Sequence, residues 1–133
     1  MFQEMMIGSG GGGGGSNVKS GTATSTGTTN SEFTCSTGLT TITKFMAWGL
    51  SGSSNQNTAV IIYDPSLIGN NLFSSAGIQT GAAAQRPRAT VGDNPSQYNS
   101  SIKSISGGIV TIKNATNAAN VFKGTVYWYA EGT

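Results

Sequence analysis

Histidine is absent from this chain of 133 residues. That removes the side chain most used as a general base near neutral pH, and the commonest metal ligand. Cysteine occurs once, at Cys35, which excludes an intrachain disulfide and a multi-cysteine zinc site. Cys35 sits in Glu32-Phe-Thr-Cys-Ser, an expected strand, and reads as a small buried hydrophobe rather than a reactive thiol. Charge is scarce as well. Charged residues make up 9 % of the sequence, seven basic and five acidic, for a formal net charge of +2. The basic residues are scattered apart from Arg86 and Arg88, and a pair is not a polybasic patch, so nucleic acid is not an expected partner. No apolar run is long enough for a membrane span, and membrane insertion is not expected.

Hydrophobic residues, at 36 %, are also fewer than in an average soluble domain. Gly, Ser, Thr and Asn fill the gap. A disordered chain usually carries high charge and few aromatic or β-branched residues. Here Val, Ile, Thr, Tyr and Trp recur in short runs, which points instead to a β-rich protein with many turns. One domain with a modest core fits the length.

The strongest run is residues 121–131, Val-Phe-Lys-Gly-Thr-Val-Tyr-Trp-Tyr-Ala-Glu. Alternation puts Phe122, Gly124, Val126, Trp128 and Ala130 on one face and Lys123, Thr125, Tyr127, Tyr129 and Glu131 on the other. That is the period of a strand, in residue types strands favour. We read it as a central closing strand. Residues 41–50 alternate too, with Ile42, Lys44, Met46, Trp48 and Leu50 against Thr43, Phe45, Ala47 and Gly49. Apolar residues fall on both faces, which suits a sandwich interior or a subunit interface. Residues 58–63, Thr-Ala-Val-Ile-Ile-Tyr, form a third run that ends at Asp64-Pro65, because proline cannot donate to a ladder. The polar residues 51–57 between them are expected to be a hairpin loop.

Shorter strands are expected at 18–24, 32–37, 101–106 and 109–113, with Gly107-Gly108 as the tight turn between the last two. Residues 66–100 are the least regular part, with one weak strand expected at 88–91. Residues 114–120 read as a surface loop. About eight short strands, regular turn signals and no helical pattern predict an all-β fold, an antiparallel β-sandwich of jelly-roll or lectin-like type over residues 17–133.

Residues 1–16 are expected to form an extended glycine-rich N-terminal arm. Its start, Met-Phe-Gln-Glu-Met-Met-Ile, is too short for a signal h-region and lacks a basic n-region. A glycine-serine tract through Ser16 follows and reads as a linker. Phe2, Met5, Met6 and Ile7 are candidates for an apolar peg that docks on a larger body.

The search for catalysis finds little. The carboxylates Glu4, Glu32, Asp64, Asp93 and Glu131 sit in no motif, and the glycine tract lacks the Lys-Ser/Thr of a phosphate loop. No catalytic residue, cofactor or metal ligand is assigned, and the chain is not expected to be an enzyme. Asn99-Ser-Ser and Asn114-Ala-Thr match the glycosylation acceptor pattern, which chance explains in a chain this rich in Asn, Ser and Thr. Binding fits better. Aromatic rings beside amides suit sugar recognition. Tyr98 with Gln97 and Asn99 are the first candidates for glycan contact. Tyr63 with Asp64, and Tyr127 with Tyr129, are further ones.

The layout resembles small virion proteins of tailed phages and prophages of Gram-positive bacteria. It does so through the apolar start and glycine tract, Met5-Met-Ile-Gly-Ser-Gly. It continues through Leu39-Thr-Thr-Ile-Thr-Lys-Phe-Met-Ala-Trp, Ile105-Ser-Gly-Gly-Ile-Val-Thr-Ile and Gly124-Thr-Val-Tyr-Trp-Tyr-Ala. These strand and turn patterns are similar to distal domains of tail fibres and head fibres, and to H-type lectin-like sandwiches, in outline over residues 18–133. The resemblance implies a homotrimer held to other virion proteins through the N-terminus, on the virion surface (head or tail) after synthesis in the host cytoplasm. It also implies attachment to a host cell-surface glycan. No binding residue carries over by position. Met46, Trp48, Tyr127 and Tyr129 are the candidates for the subunit interface, since a trimer would bury the second apolar face of 41–50. A free-standing carbohydrate-binding lectin-like module is the alternative, and a small hydrolase using Asp64 or Asp93 a third reading.

Overall fold

The computed structural model describes residues 17–52, 54–66, 91–97 and 99–133. These form seven strands: β1 (Asn17–Thr26), β2 (Glu32–Ser36), β3 (Ile42–Ser51), β4 (Ser54–Tyr63), β5 (Ser101–Ser106), β6 (Ile109–Lys113) and β7 (Phe122–Gly132). A single 3-10 turn, Ala118–Asn120, precedes β7. The strands make two antiparallel sheets, one ordered β1-β7-β3-β4 and one ordered β2-β6-β5. The chain is all-β, and the two sheets pack as a sandwich. Of the weak strand expected at 88–91, Val91 is described and makes an isolated parallel bridge to Ile102. Residues 88–90 lie outside the described residues.

The expected closing strand is central. β7 pairs with β1 on one side and β3 on the other. Its alternation sorts as read: Phe122, Val126, Trp128 and Ala130 are buried, whereas Lys123, Thr125 and Tyr127 are exposed. The core lies between the sheets. Ile42, Phe45, Ala47 and Ile61 join those β7 side chains from one sheet, and Phe33, Cys35, Ile102, Val110 and Ile112 meet them from the other. Phe33 and Phe122 make an edge-to-face contact across the layers, with ring centroids 5.6 Å apart; this geometry suits the opposed charges of ring edge and ring face. Cys35 is fully buried, and burial pushes its thiol up to about 12. It is the small core residue the sequence suggested.

Three local expectations are corrected. The polar run 51–57 is not a seven-residue loop. β3 continues to Ser51 and β4 starts at Ser54, with those two residues paired. The turn is held from below, where Gly52 N–H donates to the Val121 carbonyl at 2.8 Å and Ser51 Oγ to that of Ala119 at 3.1 Å. Polar residues can extend β4 because it is an edge strand of its sheet. The simple alternation of β3 also fails at its start. The register shifts between Ile42 and Lys44, so this bulge moves Ile42 to the inner side with Phe45 and Ala47.

The third correction concerns Asn114, expected on a surface loop. It is wholly buried and ties four segments together. Its Nδ2 donates to Ser25 Oγ at 2.8 Å and Ser31 Oγ at 3.1 Å, and its Oδ1 accepts from Phe122 N–H at 2.9 Å. Ser25 Oγ in turn donates to the Phe122 carbonyl at 2.6 Å. The acceptor-like Asn-Ala-Thr here marks a fold junction rather than an accessible amide.

The Gly107-Gly108 hairpin is as expected. Both residues have positive φ, +57° and +76°, as a two-residue turn with right-twisted strands requires. At Gly108 the Leu39 carbonyl also occupies the place a side chain would take.

Candidate interaction face

The feature that stands out is the outer side of the four-stranded sheet. Pairing register places its side chains in rows. Ser20, Tyr129, Met46 and Ile62 form one row, and Thr22, Tyr127, Trp48 and Val60 the next. Leu50 on β3 extends the apolar area, at 47 % exposure, and Tyr127 is 49 % exposed. Trp48 and Tyr127, directly opposite one another, stack with ring centroids 6.1 Å apart and planes 24° apart. Such cross-strand aromatic pairs stabilise a sheet face.

One end of this face is polar. Val18, Glu131 and Lys44 share a row there. The Tyr129 hydroxyl donates to the Glu131 carboxylate. Burial, and then this hydrogen bond to an anion, push the Tyr129 phenol up to about 12. The phenol therefore stays a neutral donor across the physiological range.

Met46, Trp48, Tyr127 and Tyr129, singled out from the sequence, are thus brought together. Val60, Ile62 and Leu50 complete the patch. Alternation within residues 58–63 could have flagged Val60 and Ile62, but which strand lies beside which is a tertiary fact. The other candidates are not assembled into a site. Gln97 is exposed and its carbonyl accepts from Asn120 Nδ2 at 2.8 Å. Asn99 N–H donates to Ser96 Oγ at 3.1 Å. Tyr98, which was to supply the ring for a glycan, lies outside the described residues. Tyr63 is not a free platform beside Asp64; it packs against the core. Asp64 instead accepts the Ser66 N–H at 2.9 Å within its own turn. Phe2, Met5, Met6 and Ile7 also lie outside the described residues.

The carboxylates are dispersed. Glu32 pairs with Lys103 at 2.6 Å and Asp93 with Lys113 at 2.9 Å, both on the side of the three-stranded sheet. Among the described residues no three of His, Cys, Asp and Glu come together as a metal site, and no helix is long and apolar enough to cross a membrane. What the arrangement can do is bind: it offers a partly aromatic, largely apolar surface with Lys44 and Glu131 at one end and Lys123 opposite Leu50 at the other. Compared with protein-family models, with curated proteins and with solved structures, the chain matches none.

Proposed function

We propose that this chain is a non-catalytic structural module of a phage particle, a fibre or decoration protein. Its apolar arm docks it on other virion proteins, and its sandwich gathers into a homotrimer. Display on the virion surface, after synthesis in the host cytoplasm, and adhesion to the host surface follow from the same reading. The observation that carries it is the apolar outer face of the four-stranded sheet, with Met46, Trp48, Leu50, Val60, Ile62, Tyr127 and Tyr129 unpaired across any second layer among the described residues. A sheet face of this kind gains roughly 25 cal/mol for each Å² of apolar surface that a neighbour removes from water. A closed ring of like chains supplies that neighbour by symmetry. The scarcity of charge on the face spares repeated copies from mutual repulsion. The dispersal of the four described carboxylates, each already engaged by a lysine, a tyrosine or its own turn, supports a binding role over a catalytic one.

Native mass over a concentration series tests the reading, with the full chain beside Trp48→Lys. The full chain is expected to reach a trimer as concentration rises, while the variant stays monomeric with an unchanged far-UV spectrum. A full chain that remains monomeric throughout, or a trimer indifferent to Trp48→Lys, would sink it. One observation favours a second reading, a lectin-like module. The exposed Trp48–Tyr127 pair is the kind of aromatic surface that covers the apolar face of a sugar ring. A glycan-array signal lost in Tyr127→Ala would select that reading.

A further inference from the structure

We infer that the two edges of the four-stranded sheet pair with one another between copies of this chain, β4 of one subunit lying antiparallel to β1 of the next. The inference rests on the assembly reading above, and it names the strands through which neighbouring subunits join.

A contrast between edges is the first ground. An edge strand presents a row of unpaired backbone N–H and C=O groups, and folds guard such rows with covers, bulges, short strands, proline or charge. The three-stranded sheet is guarded on both sides. Beside β5, Val91 makes its bridge to Ile102, and the Gly92 N–H donates to the Ile102 carbonyl at 2.8 Å. The register of β5 also slips between Ile102 and Ser104, at the charged Lys103. β2 has five residues and opens on Glu32, which Lys103 holds. The four-stranded sheet has no comparable guard among the described residues. β1 and β4 each run ten residues and stand at the two ends of the strand order. β1 keeps one register against β7 from Asn17 to Thr26, and β4 keeps one against β3 from Thr58 to Tyr63. Neither strand contains proline; β4 carries no charge and β1 only Lys19.

Direction is the second ground. The sheet has four strands and every neighbouring pair is antiparallel. With an even number of strands, its two edges run in opposite directions. Rotating one subunit about an axis along the strands therefore sets the next β1 antiparallel to β4, in the hydrogen-bond pattern the sheet already uses. Equal length lets the ladder groups of one strand be met along the other. The period of two keeps the outer side of one sheet continuous with that of the next, so Val60 and Ile62 meet outward residues of β1 such as Ser20 and Thr22. A head-to-tail contact of this kind closes into a ring. In the trimer, three four-stranded sheets join as twelve strands and each edge is used once, which leaves no edge open. Pairing of β4 with β4 would stop at a dimer and leave β1 uncovered.

Amide hydrogen exchange tests this on the full chain, followed by mass spectrometry below and above the concentration at which native mass shows the trimer. Amides of β1 and of β4 are both expected to exchange about tenfold or more slowly in the trimer, while those of β2, on the other sheet, keep their monomer rates. A trimer in which β1 and β4 exchange as they do in the monomer overturns the inference and leaves the assembly reading standing, with the copies joined by their faces alone. Protection of β4 without β1, in an assembly of two copies, overturns it in favour of like-with-like pairing. If native mass shows no association at any concentration, the assembly reading falls and this inference with it.

Discussion

The two sheets turn opposite kinds of surface outward. On the three-stranded sheet the outer positions are Glu32, Thr34 and Ser36 on β2, with Ile109, Thr111 and Lys113 on β6. Only Ile109 is large and apolar there, and lysine–carboxylate pairs rim the surface. On the four-stranded sheet the corresponding positions carry Met46, Trp48, Leu50, Val60, Ile62, Tyr127 and Tyr129. Antiparallel sheets commonly bury one side and wet the other, and the three-stranded sheet does so. The four-stranded sheet buries its inner side against the core and still presents an apolar outer side. Nothing in the strand propensities requires this. Thr and Ser serve equally well on an exposed strand face, as β2 shows. The difference is therefore not a need of the fold, and it is what the proposed assembly accounts for.

The sharpest way to break that comparison is to truncate an aromatic on each side of β7. Phe122→Ala removes a side chain that is 1 % exposed and stacked edge-on with Phe33. It is expected to cost about 3–5 kcal/mol in urea unfolding, as large core truncations do. Tyr127→Ala, five residues along on the outer side, should cost less than about 1 kcal/mol in the monomer, the usual scale for a surface site. Its effect should appear instead in the midpoint of the proposed trimer. Equal losses of stability would mean that the outer face is part of the core, and the contrast would vanish.

A second substitution probes the junction between the sheets. Asn114→Ala leaves the buried Phe122 N–H and the Ser25 and Ser31 hydroxyls short of a partner. Buried groups left unpaired cost about 1–3 kcal/mol each, so a loss of about 2–4 kcal/mol is expected from thermal or urea unfolding. A change under about 0.5 kcal/mol would show that water replaces the amide at no cost, and that the junction is not dry.

Much of this architecture was legible in the chain. Residues 121–131 announce a strand by alternation, and the buried set Phe122, Val126, Trp128 and Ala130 is the one alternation picks. Gly107-Gly108 marks its hairpin because only glycine takes two successive positive φ values without cost. What stayed hidden was non-local. Alternation has no term for a bulge, so Ile42 was assigned with Lys44 although the register slips between them. Composition cannot tell an exposed asparagine from one that fills a junction, so Asn114 read as loop. The candidate face was half visible. The two apolar sides of β3 pointed to it, but its extent depends on β7 lying between β1 and β3, a neighbourhood set by packing and not by order along the chain.

The smallest expected effect lies on the polar side. The hydrogen bond from Lys113, with the positive charges of Lys113 and Lys103, holds the Asp93 carboxyl below its usual range, while partial desolvation opposes them. A carboxyl with a depressed folded value contributes stability above its unfolded value of ~3.9, and that contribution is lost as pH falls through the folded value. The contribution is small, because the pair is exposed and screened. Asp93→Asn should therefore lower the urea midpoint slightly at pH 6, and the difference from the unaltered chain should close on titration toward pH 2. Added salt at pH 6 should narrow it as well. The same salt should leave the midpoint of the proposed trimer nearly unmoved, or lower it, since burial of apolar surface is not screened. If salt instead dissociates the trimer while sparing the Asp93 difference, charge and not apolar area holds the copies together, and the two outer surfaces exchange the roles assigned to them.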